Sequence, residues 1–391
     1  MDKIIQFLLK IYASFIKKDD KYIIFESARE FFDNPYALYL YIKEHYPQYK
    51  LKYVVTTKEM KKSASIRGIN KKELLNVNNK LALYRYSLKA KLIVFSYTNY
   101  WNKLKLSPKN TIVYAAHSEF PVKYCGEFYD FILKDSVNKV DVSFRTKHTK
   151  EVMHKIYPVF DKHNSVILGM PRNDIMFHSK INKAEFLKWL GYEENKTIIL
   201  SMTTFRHAHE KIPNYFEQEF PICLNEQEVE ELDKKLGENN EIFIIKLHHS
   251  QDGVIISNKY KNIKFLTNQD LALLDYSSHD LYSISDSLIS DYSTSYLGYL
   301  VLDRKVGFIL TDKAQYTKER GYTLENWEDM LPGDKMYSKE DFYKFLKDVK
   351  SPDDKYKEAR KKVMLDYVGD YKDQNCKSYT DHYLKNKKGQ N

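Results

Sequence analysis

Short apolar runs rich in β-branched and aromatic residues alternate with amphipathic stretches along almost the whole chain, and this alternation constrains the fold most. Strands are expected at Tyr22–Phe25, Leu51–Val55 and Leu92–Phe95, with a helix over Ala37–His45. Thr111–Ala115, Val140–Phe144 and Ser165–Leu168 read as later strands of the same layer. Strands separated by helices pair in parallel, because a parallel partner is reached only through a crossover. A second series follows at Thr197–Ser201, Ile242–Leu247, Ile263–Leu266, Ser287–Ser290 and Val306–Leu310, interrupted by helical stretches such as Glu226–Leu236 and Ser295–Leu302. The fold class expected is therefore α/β, with two Rossmann-like domains whose facing halves would form a cleft.

At 391 residues the chain is longer than one hydrophobic core usually serves. The boundaries read from it are an N-terminal helix over 1–19, a first domain over 20–190, a second over 191–345 and C-terminal helices over 346–391. The amphipathic segment Glu185–Leu190, followed by Gly191 and a charged run through Lys196, reads as a helix end and a connection. The Lys-rich tail from Ser338 is expected to pack outside, with a possible return to the first domain.

Ile4 to Ile16 is apolar but holds Gln6, Lys10 and Ser14, and is too short to cross a bilayer, which takes about 20 residues. On a helix Ile4, Leu8, Ile11, Tyr12 and Phe15 share one face while Lys3, Lys10 and Lys17 share another. That pattern suits a helix lying on an anionic membrane surface, and equally one docked on the protein's own core. With 63 basic and 53 acidic residues the net charge is +10, which attracts anionic partners without choosing among them. No basic block with interleaved aromatics marks a nucleic-acid site, so no nucleic-acid partner is expected. Cys125, Cys223 and Cys376 are too far apart for a metal-binding pair and read as reduced thiols. The 33 tyrosines and 21 phenylalanines read first as a compositional bias.

Walker, GxSxG, HExxH, CxxC and GxGxxG motifs are all missing, and the DxD type has only a poor counterpart at Asp280–Leu281. A metal-independent mechanism with no bound cofactor is expected, the positive charge coming from side chains and helix ends.

Several short stretches then occur in a fixed order. After Phe25-Glu26 comes SAREFFDNPYAL, from Ser27 to Leu38; His117 follows a strand and is trailed by Pro121 and Lys123. Gly169-Met170-Pro171-Arg172-Asn173-Asp174, Thr203-Thr204-Phe205-Arg206, Lys246-Leu247-His248 and Ser290-Asp291-Tyr292-Ser293-Thr294 come next, then Arg320-Gly321-Tyr322 with Leu331-Pro332-Gly333. Together they resemble the CDP-glycerol glycerophosphotransferase family, the teichoic-acid glycerol and ribitol phosphate transferases and related capsule enzymes.

The resemblance implies a GT-B arrangement with an acceptor-side first domain and a CDP-donor-binding second domain. It implies transfer of glycerol phosphate or ribitol phosphate from a CDP-polyol to a hydroxyl of a lipid-linked or capsular glycan, with release of CMP. The enzyme would work peripherally at the cytoplasmic face of the bacterial plasma membrane, with an oligomer left open.

Such a transfer needs a base, charge relief on phosphoryl oxygens and stabilisation of the leaving group. His117 ends a strand and is the expected base; alone it would read as an ordinary loop histidine. His248 would assist the leaving phosphate, although its neighbour His249 stands where the family has Pro and either ring could face the ligand. Arg206, Arg172 and Lys246 would relieve phosphate charge, with Arg172 alternatively holding a hinge. Ser293 and Thr294 would present hydroxyls and amides to the pyrophosphate, or simply cap a helix. Asp291 would order that loop or bind a ligand hydroxyl, and Asp174 would contact the ligand or cap a helix.

The turn after His117 is one residue longer than the family's and has Ser118 for Gly, which bears on substrate identity. Two other functions share these features: a nucleotide-sugar glycosyltransferase of GT-B fold, and a non-catalytic membrane-surface binding protein.

Overall fold

The computed structural model describes residues 15, 19–27, 31, 33–102, 106, 110–117, 122, 127–204, 225–247, 259–319 and 321–385. The chain forms two compact units, one of Met1–Glu119, Cys125–Ile175 and Tyr371–Asn391, the other of Phe120–Tyr124 and Met176–Asp370.

The first unit holds seven strands: β1 (Tyr22–Glu26), β2 (Lys50–Val55), β3 (Leu74–Asn76), β4 (Leu92–Phe95), β5 (Thr111–Ala115), β6 (Asp141–Phe144) and β7 (Asn164–Ile167). All pair in parallel in the order β3-β2-β1-β4-β5-β6-β7. Phe25 lies between Tyr53 on β2 and Val94 on β4, and Glu26 lies opposite Phe95. Ile23, Phe25, Tyr53, Val55, Val94, Val113 and Ala115 join one core cluster, while the alternate residues Ile24, Val54, Ile93, Phe95 and Tyr114 are buried on the other face. Burial on both faces explains why these strands read as unbroken apolar runs.

The second unit holds β8 (Thr197–Ser201), β9 (Glu241–Lys246), β10 (Ile263–Leu266), β11 (Ser287–Ser290), β12 (Lys305–Ile309) and β13 (Asp334–Met336). They too are parallel, in the order β10-β9-β8-β11-β12-β13. Ile198, Leu200, Ile242, Ile244 and Leu288 belong to one core cluster, and the intervening Ile199, Phe243, Ile245 and Ile289 to another. In each sheet the order reverses beside the unit's first strand, between β1 and β4 and between β8 and β11. These are the switch points at which doubly wound folds bind ligands.

The helix Lys183–Trp189, expected near a connection, puts Phe186 and Leu187 into the second unit's core, so that unit begins at Met176 rather than near residue 190. The tail divides. Helices Lys339–Asp348 and Lys357–Tyr367 bury Phe345, Leu346, Val363 and Tyr367 in the second unit, whereas Asn375–Thr380 buries Cys376 and Tyr379 in the first. The amphipathic N-terminal helix lies outside the described residues except for Phe15, which is exposed. No helix among the described residues is long and apolar enough to cross a membrane.

Two glycines of the motif stretches have packing reasons. At Gly333 a Cβ would stand 1.9 Å from the Val306 carbonyl oxygen, so only glycine lets β13 approach β12. At Gly169, with φ +77, a Cβ would stand 2.2 Å from Asn375 Oδ1.

Gly333→Ala should therefore lower unfolding free energy in urea by about 3 kcal/mol, since backbone cannot yield as a flexible side chain does. Gly68→Ala, at φ +61 with open space around it, should cost only about 1 kcal/mol. Equal losses for the two would refute this account.

Candidate active site

The helix Asp33–His45 starts four residues before its expected beginning at Ala37, with Pro35 in its first turn. Pro is tolerated there because the first helical N–H groups have no intrahelical acceptor. Asp33 itself has φ 74, a left-handed conformation that Asp adopts more readily than most residues but still at a cost. The strained residue is held from several sides. Phe31, Tyr36 and Tyr53 pack ring against ring, and the Tyr53 hydroxyl hydrogen-bonds Ser27 Oγ at 2.7 Å.

The Asp33 carboxylate is buried and shared. One oxygen accepts from Arg172 Nη1 at 2.7 Å, and the other lies 2.8 Å from His117 Nδ1. Burial alone would raise the Asp33 pKa, but the charges of His117 and Arg172, with hydrogen bonds from the His117 ring and the Asn34 amide, outweigh it. The carboxyl is thus held well below the usual carboxylate range. A carboxylate only accepts, so His117 Nδ1 carries a proton, and in the neutral tautomer that this bond selects the lone pair lies on Nε2. The 3.4 Å approach of Arg172 Nη1 to Nδ1 is then a contact between two donors. Asn34 completes the frame, donating to the Ala116 carbonyl at 2.8 Å and accepting from the Arg172 amide at 3.2 Å. His117 is the most open member, with 39% of its side chain exposed against 1% for Asp33.

Glu26 ends β1 at the switch point and is wholly buried. Its Oε2 accepts from Thr98 N–H at 3.2 Å, while Oε1 has no hydrogen-bond partner among the described residues. Burial, aided slightly by the Asp33 charge, pushes its pKa up to about 8 against the pull of the amides of Thr98, Tyr97 and Ser96. Near neutral pH it is therefore mostly a neutral acid.

At the second unit's switch point, the buried Asp291 accepts from Thr204 N–H at 2.9 Å, Thr204 Oγ1 at 3.1 Å and Ser293 N–H at 2.9 Å. Asp291 thereby ties the end of β8 to the loop after β11, the ordering role expected of it. Ser290 and Ser295 both donate to the Met202 carbonyl. The following helix spans only Ser295–Tyr299, with a 3-10 turn after it, so its dipole is small. This loop carries two hydroxyls, on Ser293 and Thr294. Thr294 makes no side-chain capping bond, whereas Ser293 Oγ accepts from Ser295 N–H at 3.3 Å. Lys246 is buried at the end of β9 and donates to the Leu247 carbonyl at 2.6 Å.

Arg172, expected on phosphate oxygens or holding a hinge, is turned to Asp33. Asp174, expected at the ligand or as a cap on a helix, accepts from the Asn375 and Cys376 amides and so caps the helix Asn375–Thr380. Arg206, His248 and His249 lie outside the described residues, as do Cys125 and Cys223. Among the described residues no group of three or more His, Cys, Asp or Glu is arranged to hold a metal ion.

Asp33, Glu26 and Asn34 were not singled out from the sequence, because no local pattern marks a carboxylate whose partners lie 84 and 139 residues away.

A family described as CDP-Glycerol:Poly(glycerophosphate) glycerophosphotransferase matches residues 8–380. The chain is 25% identical to the teichoic acid poly(glycerol phosphate) polymerase of Bacillus spizizenii, over 83% of this chain and 84% of that one. It is 23% identical to the corresponding polymerase of Bacillus subtilis over 85% of this chain, but spans only 44% of that protein. It is also 28% identical over 42% of its length to the teichoic acid ribitol-phosphate primase of Bacillus spizizenii, covering 40% of it. Among solved structures, the wall teichoic acid polymerase TagF matches with a TM-score of 0.71 at 19% identity, over 98% of each chain. At that identity the likeness is one of fold, and with two Rossmann-ordered sheets the chain is a GT-B-like α/β protein.

Because the Glu26 pKa is raised on folding, the native state holds a proton that the unfolded chain releases from about pH 4.5 upward. Its contribution is fully present below that pH and is lost as pH rises through about 8. Glu26→Gln should therefore gain stability relative to wild type between pH 5 and 8, by up to about 1.4 kcal/mol per pH unit. A pH-independent difference in chemical denaturation would show that Glu26 is ionised in the native protein.

Proposed function

As the chain belongs to the CDP-glycerol:poly(glycerophosphate) glycerophosphotransferase family, we propose that it transfers a polyol phosphate from a CDP-polyol to a hydroxyl of a lipid-linked or capsular glycan, releasing CMP. The observation that carries this reading is the bond from His117 Nδ1 to the buried Asp33 carboxylate, itself braced by Arg172.

In this reaction the acceptor hydroxyl oxygen attacks the β-phosphorus of the donor. A new P–O bond forms, the bond to the bridging oxygen breaks, and CMP leaves with that oxygen and its electron pair. The hydroxyl proton passes to His117 Nε2, the basic atom left when Nδ1–H is committed to Asp33. Asp33 then faces the imidazolium as a fixed counter-charge and need not accept the proton. Arg172 acts as a positioning residue that keeps Asp33 ionised and oriented. The resemblance gives Ser293, Thr294 and Lys246 of the second unit to the pyrophosphate. The resemblance assigns Arg206 and His248 to phosphate charge and to the leaving group.

Glycerol phosphate and ribitol phosphate both fit the relatives' range. The basic net charge and the amphipathic segment from Ile4 to Ile16 support work at the cytoplasmic face of the membrane.

His117→Ala should reduce CMP release from a CDP-polyol by at least about 10²-fold with an unchanged circular-dichroism spectrum. Retained turnover would remove the base from this scheme. Thermal denaturation with CDP-glycerol, CDP-ribitol and UDP-sugars identifies the donor, since a ligand at about 100 times its Kd adds about 2.7 kcal/mol. Stabilisation by UDP-sugars alone would favour a glycosyltransferase.

A further inference from the structure

The helix Asn375–Thr380 meets the turn that carries Arg172 chiefly through its first side chain. Asn375 is 2% exposed, and its Oδ1 accepts from Met170 N–H at 2.8 Å. Its Nδ2 donates to Asp174 Oδ1 at 2.6 Å and to the Lys372 carbonyl at 3.0 Å. The backbone N–H groups of Asn375 and Cys376 donate to the two Asp174 oxygens at 3.0 and 2.7 Å. Cys376 Sγ lies 3.6 Å from the Pro171 carbonyl oxygen. Residues 170, 171 and 174 of one turn are thus each gripped by the segment that begins at Tyr371.

The residue at the centre of that grip is Arg172. Its backbone N–H donates to Asn34 Oδ1 and its guanidinium to Asp33, which holds His117. The absent side chain at Gly169 is what lets Asn375 come so close. A continuous path of hydrogen bonds and covalent links, all within the first unit, joins Asn375 to the imidazole.

We infer that Asn375 is a positioning residue for the transfer reaction, acting through the Gly169–Asp174 turn to keep Arg172 where it sets Asp33 against His117. The inference rests on the role of His117 proposed above. Asn suits the position because it must accept from one backbone amide and donate to a carboxylate at once. Aspartate would place two carboxylates face to face, and alanine would leave the Met170 N–H and an Asp174 oxygen short of a partner. The segment has other anchors, so changing Asn375 need not release it. Tyr46 Oη donates to Thr380 Oγ1 at 3.3 Å, Tyr383 Oη donates to Asp141 Oδ2 at 3.2 Å, and Tyr379 and Leu384 lie in the core cluster.

The test uses the full chain carrying Asn375→Asp, the pair Asp174→Asn with Asn375→Asp, and Tyr383→Phe as a control that weakens a remote anchor. Two quantities are read: kcat and KM for CMP release from CDP-glycerol, and the 15N NMR signals of the His117 ring. Asn375→Asp should lower kcat by about 10- to 100-fold with KM within about twofold, the loss expected when a catalytic group shifts by a fraction of an ångström. The His117 signals should move away from the Nδ1–H pattern. The paired variant, which again sets an amide against a carboxylate, should recover about tenfold of the loss, and Tyr383→Phe should leave kcat and the His117 signals unchanged. A folded Asn375→Asp protein with wild-type kcat and His117 signals would overturn the inference. So would equal loss in Tyr383→Phe at the same fall in Tm. If His117→Ala proved active, the ring signals would still decide whether Asn375 governs the imidazole.

Discussion

A carboxylate taken out of water is tolerable only when it is paired, and the first unit is organised around one such group. Asp33 is buried, ionised and attached to two cationic or protonatable partners drawn from the ends of different strands. Removing Arg172 would leave the carboxylate without its permanent cation in a medium of low dielectric constant, where the penalty is several times larger than at the surface. The left-handed backbone at Asp33 fits this picture, because strain at a single residue persists only where its surroundings over-determine it. Asn34, the tyrosine cluster and the Gly169–Asp174 turn supply that determination.

Much of the architecture was legible because buried parallel strands announce themselves as short apolar runs. Leu92–Phe95, Thr111–Ala115, Thr197–Ser201, Ile263–Leu266 and Ser287–Ser290 have the same limits in sequence and structure. The strands that escaped, β3 and β13, are three residues long and sit at sheet edges, where one partner strand suffices. A run as polar as Asp-Lys-Met carries no periodic signal; it becomes a strand because Gly333 lets it close on β12. The helix start at Asp33 was equally hidden, since its first residues are polar and make their contacts far along the chain.

The site was legible only in part, for a related reason. His117 could be picked out from its place after a strand and from its motif. Its partner lies 84 residues earlier, and no local pattern reports a hydrogen bond of that span. For Arg172 and Asp174 the motif left a ligand contact and a structural role open, and the structure shows structural partners for both. Short motifs record that residues must stay as they are; they do not distinguish a residue that touches the ligand from one that holds the residue that does. Here Gly169 and Asp174 accommodate the chain's end, and Arg172 is spent on Asp33.

That pairing changes the electrostatics of the transfer. If Arg172 faced the phosphoryl group, its positive charge would count toward the transition state. Paired with Asp33 it contributes almost no net charge, and Glu26, its pKa raised to about 8, adds little. Among the described residues around Asp33, the frame therefore carries little net positive charge, and what it offers is an oriented imidazole rather than a cation.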